Sequence, residues 1–345
     1  MNYDLLNGII KEFLNDDISK LYLDNLDEVV KLAKVFLENY YDTDILTYDD
    51  DVLLLDSINI SRDFFLTLSE DYLNRFDEIF YSEDIYDGKI DNVVSFFKVP
   101  KKLTYQFNRS GVDEDGKVFI DYNETLEDVF NIVHEFTHRF SFIKNNNSSL
   151  KKIFGETPTI LSELLVEEYL LKNNSFSENE IFKHKINRFK AVYDDSLSIL
   201  VQSILISLYK ENGFINDKIL INYLNSLDKE SKLYEILFTN GLSLIKEIIK
   251  RGSIDFYNRQ RYVIGFFCAL KMKNDRNIND FKELVEVLKK DDISTLEDQE
   301  KLRSFIPIIG DNKLFIDNST IDLFVSLFSS EKNSIDYYNY LRRKI

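Results

Sequence analysis

Apolar residues in the first 90 positions recur at three- and four-residue intervals, as in Leu6, Ile9, Ile10, Phe13 and Leu14, then Leu26, Val29, Val30, Ala33 and Phe36. That spacing lays one apolar stripe along a 3.6-residue period, so these segments are amphipathic helices that must pack together. The chain has only 10 Gly and 3 Pro in 345 residues, too few breakers for an all-β design. It is 44% hydrophobic, with 28 Phe and 20 Tyr, which suits an ordered core. At this length roughly three quarters of the extended surface can be buried.

The pattern changes between about 92 and 122. VVSFFKV, LTYQF and KVFIDY are short, β-branched and aromatic, and EDGK at 114–117 holds an Asp-Gly turn signal. A small sheet or hairpin is expected there. The helical period then returns and runs to the C-terminus, with breaks near Asn145 to Ser149, Asn173 to Ser177, Glu211 to Asn216, Gly252 and Gly310. The expected layout is a helical N-terminal lobe over 1–90 and a second region over 91–345, packed as one mainly α body with its small β element ahead of residue 131.

Acidic residues outnumber basic ones 60 to 43, giving a formal charge of −17 that repels a phosphate backbone. Nucleic acid is not an expected partner. Cys268 is the only cysteine, so no intrachain disulfide can form, and its apolar neighbours in GFFCAL suggest a buried, inert thiol. The N-terminal MNYDLLNGIIKEFLNDD carries acids where a signal peptide needs a basic region, and charges interrupt the apolar runs. A soluble, cytoplasmic protein without membrane contact is the expectation.

Two of the three histidines lie in NIVHEFTHRF, residues 131–140. Thr125 followed by Asp128 resembles a capping box, which predicts a helix from near 126 to about Phe142. His134 and His138 then share one face. An i, i+4 pair can aim two imidazole nitrogens at one metal, about 2.0 to 2.1 Å away for zinc, with Glu135 beside them to reach a metal-bound water. With histidine this rare, composition predicts on the order of 10⁻³ to 10⁻² chance matches per chain.

A catalytic zinc site needs a third protein ligand and an open position. His184, in the polar stretch IFKHKINRF, reads as exposed or cap-like. TPTILSELLVEEYLL offers a carboxylate instead: Thr157 as N-cap, Pro158 at the first helical position, and then Glu163 on an apolar helix, where a metal would compensate its burial. Glu167, one turn further, could accept a hydrogen bond from a ligand imidazole. Glu156 is the reserve ligand, set in a Gly-Glu-Thr-Pro turn.

GKVFIDYNETLEDVFNIVHEFTH resembles the strand and helix of the thimet oligopeptidase and oligoendopeptidase F family, and TPTILSELLVEE is similar to its Pro-initiated helix bearing the metal-binding glutamate. The resemblance implies a mainly α, zincin-like metallopeptidase fold, a Zn²⁺ cofactor held by His134, His138 and Glu163, and Glu135 as general base. FYNRQRYVIGFFCA at 256–269 resembles the family's tyrosine-rich segment, which implies Tyr257 or Tyr262 as donor to the oxyanion. Two positions depart from the family. Its glycine before the second histidine is Thr137 here, and Gly252 stands where it has a histidine.

The implied activity is zinc-dependent hydrolysis of short peptides, with an extended substrate pairing against a free edge of the strand Lys117 to Tyr122. A catalytically weak or inactive zinc-binding helical module is the alternative, and a metal-free helical interaction protein or a differently targeted zinc protease are further readings.

Overall fold

The computed structural model describes residues 1–16, 19, 23–40, 44–86, 89–100, 109–142, 153–174, 176–275, 278–290, 295, 297–298, 300–301, 309–310, 313–314 and 316–342. LTYQF and the break at Asn145 to Ser149 lie outside these residues. The helical stripes of the N-terminal sequence become α1 (Tyr3–Asn15), which buries Leu6, Ile9 and Ile10, and α2 (Leu26–Asn39), which buries Val29, Ala33 and Phe36. Helices α3 (Leu54–Leu68) and α4 (Glu70–Phe80) meet at Ser69, whose hydroxyl accepts the Tyr72 N–H and caps α4.

Five strands follow: β1 (Glu83–Tyr86), β2 (Lys89–Asn92), β3 (Val94–Lys98), β4 (Gly111–Val112) and β5 (Val118–Tyr122). Then come α5 (Glu127–Phe140), α6 (Thr157–Asn173), α7 (Glu178–Asn212), α8 (Asp217–Ser226), α9 (Lys232–Arg251), α10 (Phe256–Asp275) and α11 (Ile278–Lys289). A two-residue pair, β6 (Ile309–Gly310) and β7 (Lys313–Leu314), precedes α12 (Asn318–Arg342). Helix α7 contains a stretch of mean hydropathy 1.3, long and apolar enough to cross a membrane, but 78% of that stretch is buried in the fold, as a core helix would be.

The chain divides into two compact units interleaved in sequence. One comprises Met1–Asp42, Lys190–Phe267 and Ile308–Lys332; the other comprises Thr43–Phe189, Cys268–Pro307 and Asn333–Ile345. A division at residue 90 is therefore not what is found. Helices α3 and α4 belong with the second unit because their aromatic faces pack on α5: Phe76 stacks on Phe136 with centroids 4.2 Å apart, and Phe65 meets Phe140 edge-on at 5.0 Å. The first unit has its own aromatic core, in which Phe36 contacts Phe266 and Phe328 at 5.7 and 4.9 Å.

In the second unit β3, β5 and β4 form one sheet in that order. β3 runs parallel to β5 with Val94 opposite Val118, and β4 runs antiparallel to it with Val112 opposite Val118. The Asp-Gly turn makes the second pairing possible. Asp113 Oδ1 accepts the N–H groups of Asp115 and Lys117, and Gly116 takes φ +86, a conformation that costs glycine little. Among the described residues the free edge expected along Lys117 to Tyr122 is thus not found: β3 pairs one side, and β4 covers the other at Val118 and Phe119. β5 is the middle strand, and beyond β4 its Asp121 N–H donates to the Ser110 hydroxyl while the Asp121 carboxylate accepts the Arg109 N–H.

Candidate metal centre

Helix α5 begins one residue later than predicted and ends two residues earlier. The Thr125 hydroxyl accepts the Glu127 N–H, while the Asp128 carboxylate reaches back to the N–H groups of Asn123 and Glu124 at 2.9 and 2.8 Å. These bonds fix the strand-to-helix corner that orients α5. Thr137, where the resembled family has glycine, is fully buried; its hydroxyl bonds the Val133 carbonyl and lies 3.1 Å from the Ser162 hydroxyl, tying α5 to α6 beside the site.

His134 and His138 rise from one face of α5, with ring centroids 4.7 Å apart and Nε2 atoms 3.1 Å apart. Oε2 of Glu156 lies 3.5 Å from the first Nε2 and 3.2 Å from the second. Four-coordinate zinc with bonds of about 2.0 to 2.1 Å needs ligand atoms roughly 3.3 Å apart, and the three spacings bracket that value. The donor set, two imidazoles and a carboxylate, also suits zinc. Oε2 of Glu135, beside the pair, is buried with no hydrogen-bond partner, so a polar group belongs next to it.

Glu163 takes a different place from the expected ligand. Its Oε1 lies 2.5 Å from Nδ1 of His134, the ring nitrogen on the other side from Glu156. The carboxylate meeting both Nε2 atoms is Glu156, which is fully buried at the residue capping α6 and whose Oε2 also lies 3.3 Å from the Thr159 hydroxyl. Thr157 is the first helical residue rather than the cap, which shifts the expected start of α6 by one and leaves Glu156 facing α5.

Helix α7 supplies residues that sequence reasoning missed. His184 is buried, not exposed: its ring stacks on Phe130 at 3.4 Å, its Nδ1 lies 3.1 Å from the Tyr48 hydroxyl, and its Nε2 lies 3.6 Å from Oε2 of Glu163. Arg188, one turn later, reaches Oε2 of Glu163 at 3.5 Å and hydrogen-bonds Glu167. Glu167 therefore faces Arg188 rather than a ligand imidazole. The signal was present as two complementary i, i+4 pairs, Glu163/Glu167 on one helix and His184/Arg188 on the next. The polar look of IFKHKINRF concealed it, because these polar residues satisfy one another inside the fold; Lys183 likewise pairs with Glu180 and Asp49.

Electrostatics follow from this crowding. Burial disfavours a charged His134, yet hydrogen bonds from its ring N–H groups to Glu156 and Glu163 outweigh it and hold the imidazole well above its usual range. Burial also acts against the Glu163 carboxylate, but the hydrogen bond with His134 and the nearby His184 ring keep it well below the ordinary carboxylate range. Burial pushes Glu135 up against the opposing pull of His134 and His138. For His184 burial wins and the ring is driven towards its neutral form.

Tyr257 and Tyr262 lie on α10 in the first unit, partly exposed, with the Arg261 guanidinium over their rings at 5.8 and 6.0 Å. Gly252 ends α9 at φ +73, with its N–H donating to the Ile248 carbonyl; a left-handed cap of this kind favours glycine over the family's histidine.

Fold and cluster together define a mainly α protein with a His-His-Glu cradle on the helix that follows a small sheet. A crystal structure described as a peptidase, from Chlamydophila abortus, superposes with a TM-score of 0.51 at 17% identity, over 94% of this chain and 61% of that one. The chain thus has the fold of that protein while spanning about six tenths of its length. An oligoendopeptidase F from Bacillus anthracis str. Ames gives a TM-score of 0.45 at 13% identity, over 97% and 57%. No protein-family model and no curated protein matches the sequence.

Proposed function

We propose that the protein is a zinc-dependent peptidase acting on short peptides. The observation that carries this reading is the convergence of His134 Nε2, His138 Nε2 and Glu156 Oε2 at zinc-ligand spacing beside the unpartnered Glu135 carboxylate. The fold shared with a solved structure described as a peptidase supports it.

His134, His138 and Glu156 would hold the ion, with Glu163 fixing the His134 tautomer from behind. Zinc so held supplies Lewis acidity, lowering the pKa of water towards about 7 and polarising the scissile carbonyl. Glu135 accepts the proton of the attacking water at Oε2 and delivers it to the leaving amine, a role favoured by its raised affinity for protons. Support for Tyr257 or Tyr262 as the oxyanion donor is the family resemblance. Peptide substrate and cytoplasmic location belong to the same proposal.

The test is digestion of a mixed peptide pool by the full chain, with a chelator control and the Glu135→Gln variant. Cleavage should be abolished by the chelator, restored by zinc, and reduced about 10²- to 10⁴-fold in the variant while zinc content is retained. Metal binding without cleavage of any peptide would favour the non-catalytic module.

A further inference from the structure

Three carboxylates, Glu135, Glu156 and Glu163, gather around His134 and His138 in the second unit, and Glu167 lies one turn beyond Glu163. Glu163 is held from two sides. Its Oε1 meets His134 Nδ1, while its Oε2 accepts a hydrogen bond from Arg188 Nη1 at 3.5 Å, with His184 Nε2 3.6 Å away, beyond hydrogen-bond reach. Both side chains are fixed: the His184 ring stacks on Phe130 and its Nδ1 meets the Tyr48 hydroxyl, and Arg188 is 7% exposed and anchored by Glu167. A guanidinium that spans two carboxylates one helical turn apart fixes both side chains at once.

We infer that Arg188 is a positioning residue, a clamp from α7 that, with His184 packed beside it, holds Glu163 against Nδ1 of His134 and so aims Nε2 of that imidazole at the metal. The inference rests on the metal-centre reading above. A ligand histidine whose second nitrogen is fixed by a carboxylate has its tautomer and ring direction set, and losing such support costs about 10- to 100-fold in metal affinity. Here the carboxylate itself is supported, so the orientation of His134 passes through α6 to α7.

The probe is Zn²⁺ competed against a chromophoric chelator, with Co²⁺ absorption as the report on coordination and denaturant unfolding of the metal-free chain as control. Arg188→Met leaves Glu167 buried without its cation and threatens folding, so the decisive variant is Arg188→Met combined with Glu167→Gln, which removes that charge. The double variant is expected to unfold near the wild-type midpoint, bind zinc about 10- to 100-fold more weakly and show an altered Co²⁺ spectrum. Glu167→Gln alone, with the clamp on Glu163 intact, is expected to bind zinc within a few-fold of wild type. His184→Phe, which keeps the stack on Phe130 but removes the nitrogen, is expected to weaken zinc less than the double variant. Wild-type affinity and spectrum in the double variant would overturn the clamp alone. A wild type that binds no zinc through His134, tested with His134→Ala, would overturn the clamp and the metal centre together.

Discussion

Glu156 and Glu163 flank His134 on opposite ring nitrogens, and exchanging each for glutamine separates their roles. Oε2 of Glu156 sits 3.2 and 3.5 Å from the two Nε2 atoms, so Glu156→Gln removes the charge of a group that would touch the ion. Glu163→Gln leaves all three donors in place and weakens the acceptor 2.5 Å behind the ring, along with its pairing to Arg188. The second loss corresponds to a 10- to 100-fold weaker zinc affinity, about 1.4 to 2.7 kcal/mol, and the first should exceed about 100-fold. Neither figure needs a large discount for screening, because the side chains are 1% and 14% exposed. Chelator competition at fixed pH reads both affinities, with unfolding curves of the metal-free proteins to correct for stability. The reverse order would refute the geometry: Glu163 would then be the third ligand, as the family resemblance implies, and Glu156 its support.

Three further outcomes are expected. Phe136→Ala, which empties a fully buried site stacked on Phe76, should lower stability by about 3 to 5 kcal/mol in urea unfolding; a loss below about 1 kcal/mol would show that α3 and α4 do not anchor α5 through these rings. Burial raises the Asp128 carboxyl from 3.8 to about 7, against the pull of the Asn123 and Glu124 N–H groups. Its contribution to stability is therefore fully present below pH 3.8 and is lost as pH rises through about 7, by at most about 4 kcal/mol. Unfolding free energies measured from pH 5 to 9 should fall more steeply in wild type than in Asp128→Asn, and parallel profiles would remove Asp128 as the titrating group. Glu135→Gln should keep its zinc while losing turnover, and full activity in that variant would take the proton-transfer role away from Glu135.

The helices were legible because their apolar residues hold a 3.6-residue period, and the sheet because Gly116 and its neighbours interrupt that period with turn chemistry. His134 and His138 were legible because a fixed i, i+4 spacing on one helix needs no tertiary information. The carboxylate partners were harder. Glu156 precedes its helix, so no periodicity pointed to it, and its approach to α5 depends on how α6 is docked. His184 read as exposed, and Arg188 drew no reading, because a one-dimensional pattern cannot distinguish a polar residue facing water from one facing a buried opposite charge. The central position of β5 was missed because the pairing of β3 joins residues 24 apart in the chain, which no local signal specifies.

The most direct test is diffraction at the zinc absorption edge from crystals of the full chain grown with Zn²⁺. The account predicts one anomalous peak about 2.0 to 2.1 Å from Nε2 of His134, Nε2 of His138 and an oxygen of Glu156, with Glu163 on Nδ1 of His134. An ion bound elsewhere, or no peak within reach of the two imidazoles, would contradict it.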